Sequence, residues 1–232
     1  MFNTILFDFD GVLLDGSAGL ERTLVWTIGE CGLRNLNDDE IKHFVRLSPL
    51  QRSFVDVFGI DWDESQQYCD LFRNHFKQGE CLNARLYDGG GDVLNDLKSQ
   101  GFRLGIASFK REDYLLKIVQ HFGIDQYFDA VCGADSDNKL TKADIIINCM
   151  KFMNVVPAEC VYVGDTENDA KSAAAVDVPF IASVYGFGFQ NAADAGACNP
   201  VAILHDIREL AEVCECSGTF RLVWSDVKNA AA

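Results

Sequence analysis

Asp8 and Asp10 flank a single residue, are followed at once by Gly11, and close the apolar run of residues 4–7. Carboxylates are depleted in strands and costly to bury unless something compensates them. In open α/β sheets, ligands lie just beyond the carboxyl ends of the strands, where this pair falls. A second apolar run, Val161-Tyr162-Val163, ends with the same syntax: Gly164-Asp165, then Asp169 four residues on. A loop-to-helix turn aims residues four apart into one crevice. Two acidic strand ends that converge offer several hard oxygens, the donor set of Mg²⁺. Each half also has a plainer explanation. Asp-Gly is a common turn signal, and Asp165 suits a helix N-cap with an acidic first turn behind it. Between the two, Ser108 closes the run Gly105-Ile106-Ala107, and Lys142 opens a helical pattern. A hydroxyl, the N–H groups after it and an ammonium are groups that hold phosphate oxygens. Taken singly, Ser108 is equally an N-cap and Lys142 a surface lysine.

Such residues meet only if several strand ends are brought side by side. Residues 4–7, 103–107, 130–132, 160–163 and 180–182 read as buried strands, because their hydrophobicity is continuous rather than alternating. Helical patterns separate them over 91–100, 112–122, 142–154 and 169–175, and the alternation predicts a doubly wound α/β domain with a parallel, Rossmann-like sheet. Residues 16–83 break that rhythm, with consecutive helices expected over 18–31, 38–45, 49–58 and 64–78. Asn37 and Asp63 precede acidic first turns, and Pro49 suits a first helical position. This all-helical insertion reads as a lid over the main domain or, alternatively, as padding of the same core. In the C-terminal stretch 217–232, Phe220-Arg221-Leu222-Val223-Trp224 is a candidate edge strand.

The series Asp8-Phe9-Asp10-Gly11, a strand ending in Ser108, then Lys142, then Gly164-Asp165 with Asp169 resembles the haloacid dehalogenase-like hydrolase superfamily. The segment 16–83 is similar to the helical cap that one subfamily carries after its first strand. Further similarity, to phosphoglycolate phosphatase-like members, lies in Asp15-Gly16-Ser17, in the run from Phe44 to Phe54, in Phe72-Arg73-Asn74-His75-Phe76 and in Leu86-Tyr87-Asp88-Gly89. The resemblance spans most of residues 5–213. It implies a catalytic core over 1–15 and 84–216, a cap over 16–83 and an extension over 217–232. It further implies a Mg²⁺-dependent phosphatase acting on a small phosphorylated metabolite. Asp8 would take the phosphoryl group. Asp10 would protonate the leaving alcohol and then deprotonate the hydrolytic water. Asp8, the backbone carbonyl of Asp10, and Asp165 would hold the metal, with Asp169 supporting. Ser108 and Lys142 would hold phosphoryl oxygens, and Gly11, Phe109, Arg46 and Arg52 would contact substrate. A carboxylate nucleophile beside a dianionic phosphate needs a cation to cancel the repulsion, so the implied parts are physically consistent.

Departures from the family pattern carry information. Val12 and Phe109 stand where Thr and Asn are common, and Ala143-Asp144 after Lys142 leaves Lys139 as a possible substitute. Arg46 replaces a frequent Gly in a stretch, 41–53, that holds Lys42, His43, Arg46 and Arg52 but no acid. Such a stretch can read a second anionic group on the substrate, or it is a solvated helix face.

With 20 basic against 35 acidic residues, the formal charge of −15 disfavours nucleic acid and anionic membrane as partners. Nine scattered cysteines, without a C-x-x-C pair, read as reduced thiols rather than a zinc site or disulfide framework. The four histidines lack metal-ligand spacing. The N-terminus has no basic region before its apolar run, and no stretch is long enough to span a membrane, so a cytoplasmic monomer or dimer is expected. Two other functions use the same residues: a sugar-phosphate mutase, which also accommodates Val12, and a non-catalytic binding protein that has kept the fold. Intact acids at both strand ends argue against the last.

Overall fold

The computed structural model describes residues 2–46, 50–135 and 139–214. The candidate edge strand at 220–224, Pro49 and the stretch Leu47-Ser48-Pro49 lie outside them. The chain divides into two compact units, Met1–Leu14 with Leu86–Ala232, and Asp15–Arg85.

The first unit is a six-stranded parallel sheet. Its strands are β1 (Thr4–Phe7), β4 (Arg103–Arg111), β5 (Ala130–Ala134), β6 (Cys160–Gly164), β7 (Phe180–Ser183) and β8 (Ala202–Leu204), in the order β5-β4-β1-β6-β7-β8. Two short strands, β2 (Leu14–Asp15) and β3 (Arg85–Leu86), form a separate two-stranded sheet, and the boundaries between the units fall within it. β1 lies at the centre, pairing β4 through Phe7 and Ile106 and β6 through Phe7 and Val163. Every residue of β1 and β6 is buried, as a sheet covered on both faces requires. Burying side chains such as Ile5, Leu6 and Phe7 contributes up to about 1.5–3 kcal/mol each. Strand order reverses direction on either side of β1, which makes its carboxyl end the switch point where ligands bind in sheets of this kind.

Helices α5 (Gly90–Ser99), α6 (Glu112–His121), α7 (Lys142–Met153), α8 (Glu167–Ala174), α9 (Ala192–Gly196) and α10 (Glu209–Val213) complete this unit. β4 runs four residues beyond the apolar run that announces it, through a register break between Ala107 and Arg111. Strands β2, β3 and β8 and helices α9 and α10 are too short to leave a period in the sequence.

The second unit contains α1 (Ser17–Cys31), α2 (Asp38–Arg46), α3 (Leu50–Phe58) and α4 (Trp62–Lys77). Its core is aromatic: Phe44 meets Phe54 edge-on at 5.0 Å, and Phe54 meets Phe72 edge-on at 6.4 Å. Such pairs add about 0.5–1.5 kcal/mol beyond the area they bury. Asn37 caps α2, accepting from Glu40 N while Glu40 accepts from Asn37 N. α4 begins earlier than its acidic turn suggests, because Asp61 rather than Asp63 is the cap, accepting from Asp63 N at 2.9 Å. The eight cysteines among the described residues are free thiols. Among those residues no helix is long and apolar enough to cross a membrane.

Candidate active site

The carboxyl ends of β1, β4 and β6 and the first turns of α7 and α8 supply Asp8, Ser108, Asp165, Lys142 and Asp169, all buried. Asp8 follows β1 directly, and its N–H donates to Val163 O at 2.8 Å, so its backbone is held in the ladder.

Lys142 owes its burial to the helix it opens. The inward stripe of α7 is Lys142, Ile145, Ile146, Cys149, Met150 and Met153, a 3.6-residue period with an ammonium at its head. Thr141 fixes the start of that helix by accepting from Asp144 N, while Asp144 accepts from Thr141 N. Lys142 Nζ lies 2.8 Å from Asp8 Oδ1 and 2.9 Å from Asp169 Oδ1. Burying a lone ammonium is prohibitive, and two carboxylates offset the loss of water. Lys142 is therefore not a surface lysine, whereas Lys139, the possible substitute, is exposed.

Asp169 is the third residue of α8 and serves the helix and the site together. Its Oδ2 accepts from the N–H and hydroxyl of Thr166 at 3.1 and 2.6 Å, and Asp169 N donates to Thr166 Oγ1. The helix cap is thus Thr166, which leaves Asp165 in the preceding loop. There Asp165 Oδ2 accepts from Gly188 N at 2.9 Å, and its carbonyl accepts from Phe189 N. Gly11, at φ 77°, passes so close that a methyl group on it would overlap the Asp165 carboxylate. Gly186 and Gly188 pack against Asp165 as tightly from the loop after β7. These two glycines are not among the sequence candidates, although Gly-Phe-Gly two residues after a strand is a signal of close backbone approach.

Asp10 is half-buried, and its Oδ2 pairs with Lys110 Nζ at 2.9 Å. Lys110 is also not among the sequence candidates, because the apolar run that predicts β4 ends at Ala107. Ser108 lies within β4 and is not a helix cap; its Oγ accepts from Lys110 N at 3.2 Å. Phe109 is half-buried against the core. Arg46 is the last residue of α2, and Arg52 on α3 is exposed and paired with Asp56 at 2.7 Å.

Burial, reinforced by the charge of Asp169, pushes the Asp8 carboxyl up to about 6, against the opposing pull of Lys142 and Ser108. Burial, then the charges of Asp169 and Asp8, hold Asp165 well above the usual carboxylate range. Burial alone would lower Lys142, but Asp169 and Asp8 outweigh it and hold the ammonium above its usual range. Among the described residues, the lysines that pair with the acids Asp8, Asp10, Asp165 and Asp169 are Lys110 and Lys142, so those acids outnumber their paired bases by two to one. One oxygen each from Asp8, Asp165 and Asp169 lie within 4.8 Å of one another. Hard oxygen donors, burial and excess negative charge fit a divalent cation of the Mg²⁺ type. Among the described residues no other group of His, Cys, Asp or Glu is placed to hold a metal.

The model of one family, described as haloacid dehalogenase-like hydrolase, matches residues 5–183. A 5'-nucleotidase of Pseudomonas aeruginosa is 26% identical over 215 residues, covering 92% of this chain and 96% of its own. A phosphoglycolate phosphatase of Colwellia psychrerythraea is 29% identical over 194 residues, covering 80% of this chain and 85% of its own. The solved structure of protein tyrosine kinase A from Mycobacterium tuberculosis superposes with a TM-score of 0.78 at 26% identity, over 90% of this chain and 96% of that one.

Proposed function

The chain belongs to the haloacid dehalogenase-like hydrolase family, and from that premise we propose that it is a Mg²⁺-dependent phosphatase of small phosphorylated metabolites working through an aspartyl phosphate on Asp8. The observation that carries this reading is Asp8 itself: a buried carboxylate at the sheet's switch point, held by Lys142 and surrounded by acids that only a cation reconciles with an incoming phosphate.

In the first half-reaction a carboxylate oxygen of Asp8 bonds to phosphorus, the P–O bond to the alcohol breaks, and Asp10 gives its proton to the departing oxygen. In the second, Asp10 takes a proton from water, the water oxygen bonds to phosphorus, and the Asp8 carboxylate is released. Lys142 and Ser108 hold Asp8 and the phosphoryl oxygens, and Asp165, Asp169 and the Asp10 carbonyl are the groups proposed to complete the cation's shell. Bound there, Mg²⁺ would supply charge that cancels the repulsion between Asp8 and the phosphate dianion. Arg46 and Arg52 of the helical unit are proposed to contact the substrate.

Among substrates, phosphoglycolate and nucleoside monophosphates head the panel, since proteins named for those activities are similar over most of their length. Likeness to a protein named a tyrosine kinase favours a second reading, in which an acceptor other than water receives the phosphoryl group. Phosphate release from such a panel, with and without Mg²⁺ and beside Asp8→Asn, tests the proposal. Mg²⁺-dependent release absent from the variant supports it. No release from any ester, with transfer to a hydroxyl acceptor instead, overturns it.

A further inference from the structure

We infer that Lys110 is the positioning residue for Asp10, clamping one oxygen of the carboxyl so that the other is held for proton transfer; this rests on the phosphatase reading above. Three observations carry it. Lys110 Nζ lies 2.9 Å from Asp10 Oδ2, and the lysine side chain is only 8% exposed against 24% for the aspartate. Asp10 Oδ1 is itself buried and has no hydrogen-bond partner among the described residues. The other buried lysine, Lys142, is taken up by Asp8 and Asp169 and is not the group that pairs Asp10.

The terminal torsion of an aspartate is broad and nearly two-fold, so an unclamped carboxyl swings between orientations. Proton transfer in step with P–O cleavage needs one of them, and a misplacement of about 1 Å costs on the order of 100-fold in rate. An ion pair on a single oxygen removes the swing while leaving the second oxygen unpartnered. Lys110 lies two residues beyond Ser108, within the stretch of β4 between Ala107 and Arg111 where the register breaks. As the Asp8–phosphorus bond forms and the phosphorus–alcohol bond breaks, the proton passes from Asp10 to the leaving oxygen, and no further reactant is required.

The test is kcat/KM, which reports steps through alcohol release, across a series of phosphate monoesters whose leaving alcohols range from 4-nitrophenol to simple alkanols. Full-length wild type, Lys110→Met and Lys110→Arg are compared with Mg²⁺ present. Alkanols need the proton and 4-nitrophenol scarcely does. Lys110→Met is therefore expected to raise the ratio of aryl to alkyl kcat/KM by about 30–100-fold, and Lys110→Arg to recover most of it. Lys110→Gln, read in the same series, replaces Lys110→Met if melting shows that variant unfolded. A loss uniform across leaving groups, as a phosphate-binding or merely structural lysine would give, overturns the inference alone. A wild-type enzyme inert on every ester overturns the phosphatase reading and this inference with it.

Discussion

Thr166 Oγ1 lies 2.6 Å from Asp169 Oδ2, and that contact makes the cap of α8 and the wall of the site a single object. The other Asp169 oxygen faces Lys142, which in turn holds Asp8, so the helix start is linked to the candidate nucleophile through two side chains. Thr166→Val keeps the shape and removes the hydroxyl. Loss of the cap is expected to cost about 1 kcal/mol, and the freed Asp169 should lower kcat as well. Melting temperature and kcat measured together check this. A drop in stability with kcat unchanged would show that the cap and the site are independent.

The parts of the site that were legible in the sequence are those carried by a single element. Asp8 and Asp165 stand out because a carboxylate directly after a continuous apolar run contradicts the run. Lys142 could have been placed inside from its phase with Ile145, Ile146 and Cys149 alone. What stayed hidden depends on how elements meet. Lys110 reaches Asp10 from the stretch of β4 where the register breaks, which no local pattern announces. Gly186 and Gly188 matter through their distance from Asp165, more than twenty residues away in sequence. Arg52 pairs with Asp56, which sits one helical turn on, just past the acid-free window 41–53.

Replacing the proposed nucleophile separates chemistry from folding. Asp8→Asn is expected to reduce phosphate release by roughly 10⁴-fold or more. The metal-free variant should melt no lower than wild type at neutral pH, because a neutral amide replaces a carboxylate that burial disfavours. Substantial residual turnover would remove Asp8 from the nucleophile's role.

Gly11 has two independent reasons to be glycine: a backbone at φ 77° and an Asp165 carboxylate where its side chain would stand. In Gly11→Ala the strain and the overlap should together destabilise by about 2 kcal/mol or more. Displacing Asp165 should also raise the Mg²⁺ concentration that gives half-maximal activity. Melting curves and a Mg²⁺ titration of the rate measure both effects, and an unchanged Mg²⁺ requirement would mean that Asp165 does not hold the cation.

The raised acids also predict how pH and metal interact. A carboxyl lifted from 3.8 to about 6 stabilises the fold while protonated; that contribution is complete below 3.8 and is lost as pH rises through about 6. Asp165 acts in the same direction, because burial and its acidic neighbours raise it too. Metal-free wild type should therefore lose stability relative to Asp8→Asn between pH 4 and pH 7, by on the order of 3 kcal/mol at most. Mg²⁺ binds the ionised acids and competes with their protons, so its stabilisation should grow over the same window. Thermal melts of both proteins at pH 5 and pH 7.5, with and without MgCl₂, check the sign. Equal or larger protection by Mg²⁺ at pH 5 would show that the raised carboxyls are not the groups that bind it.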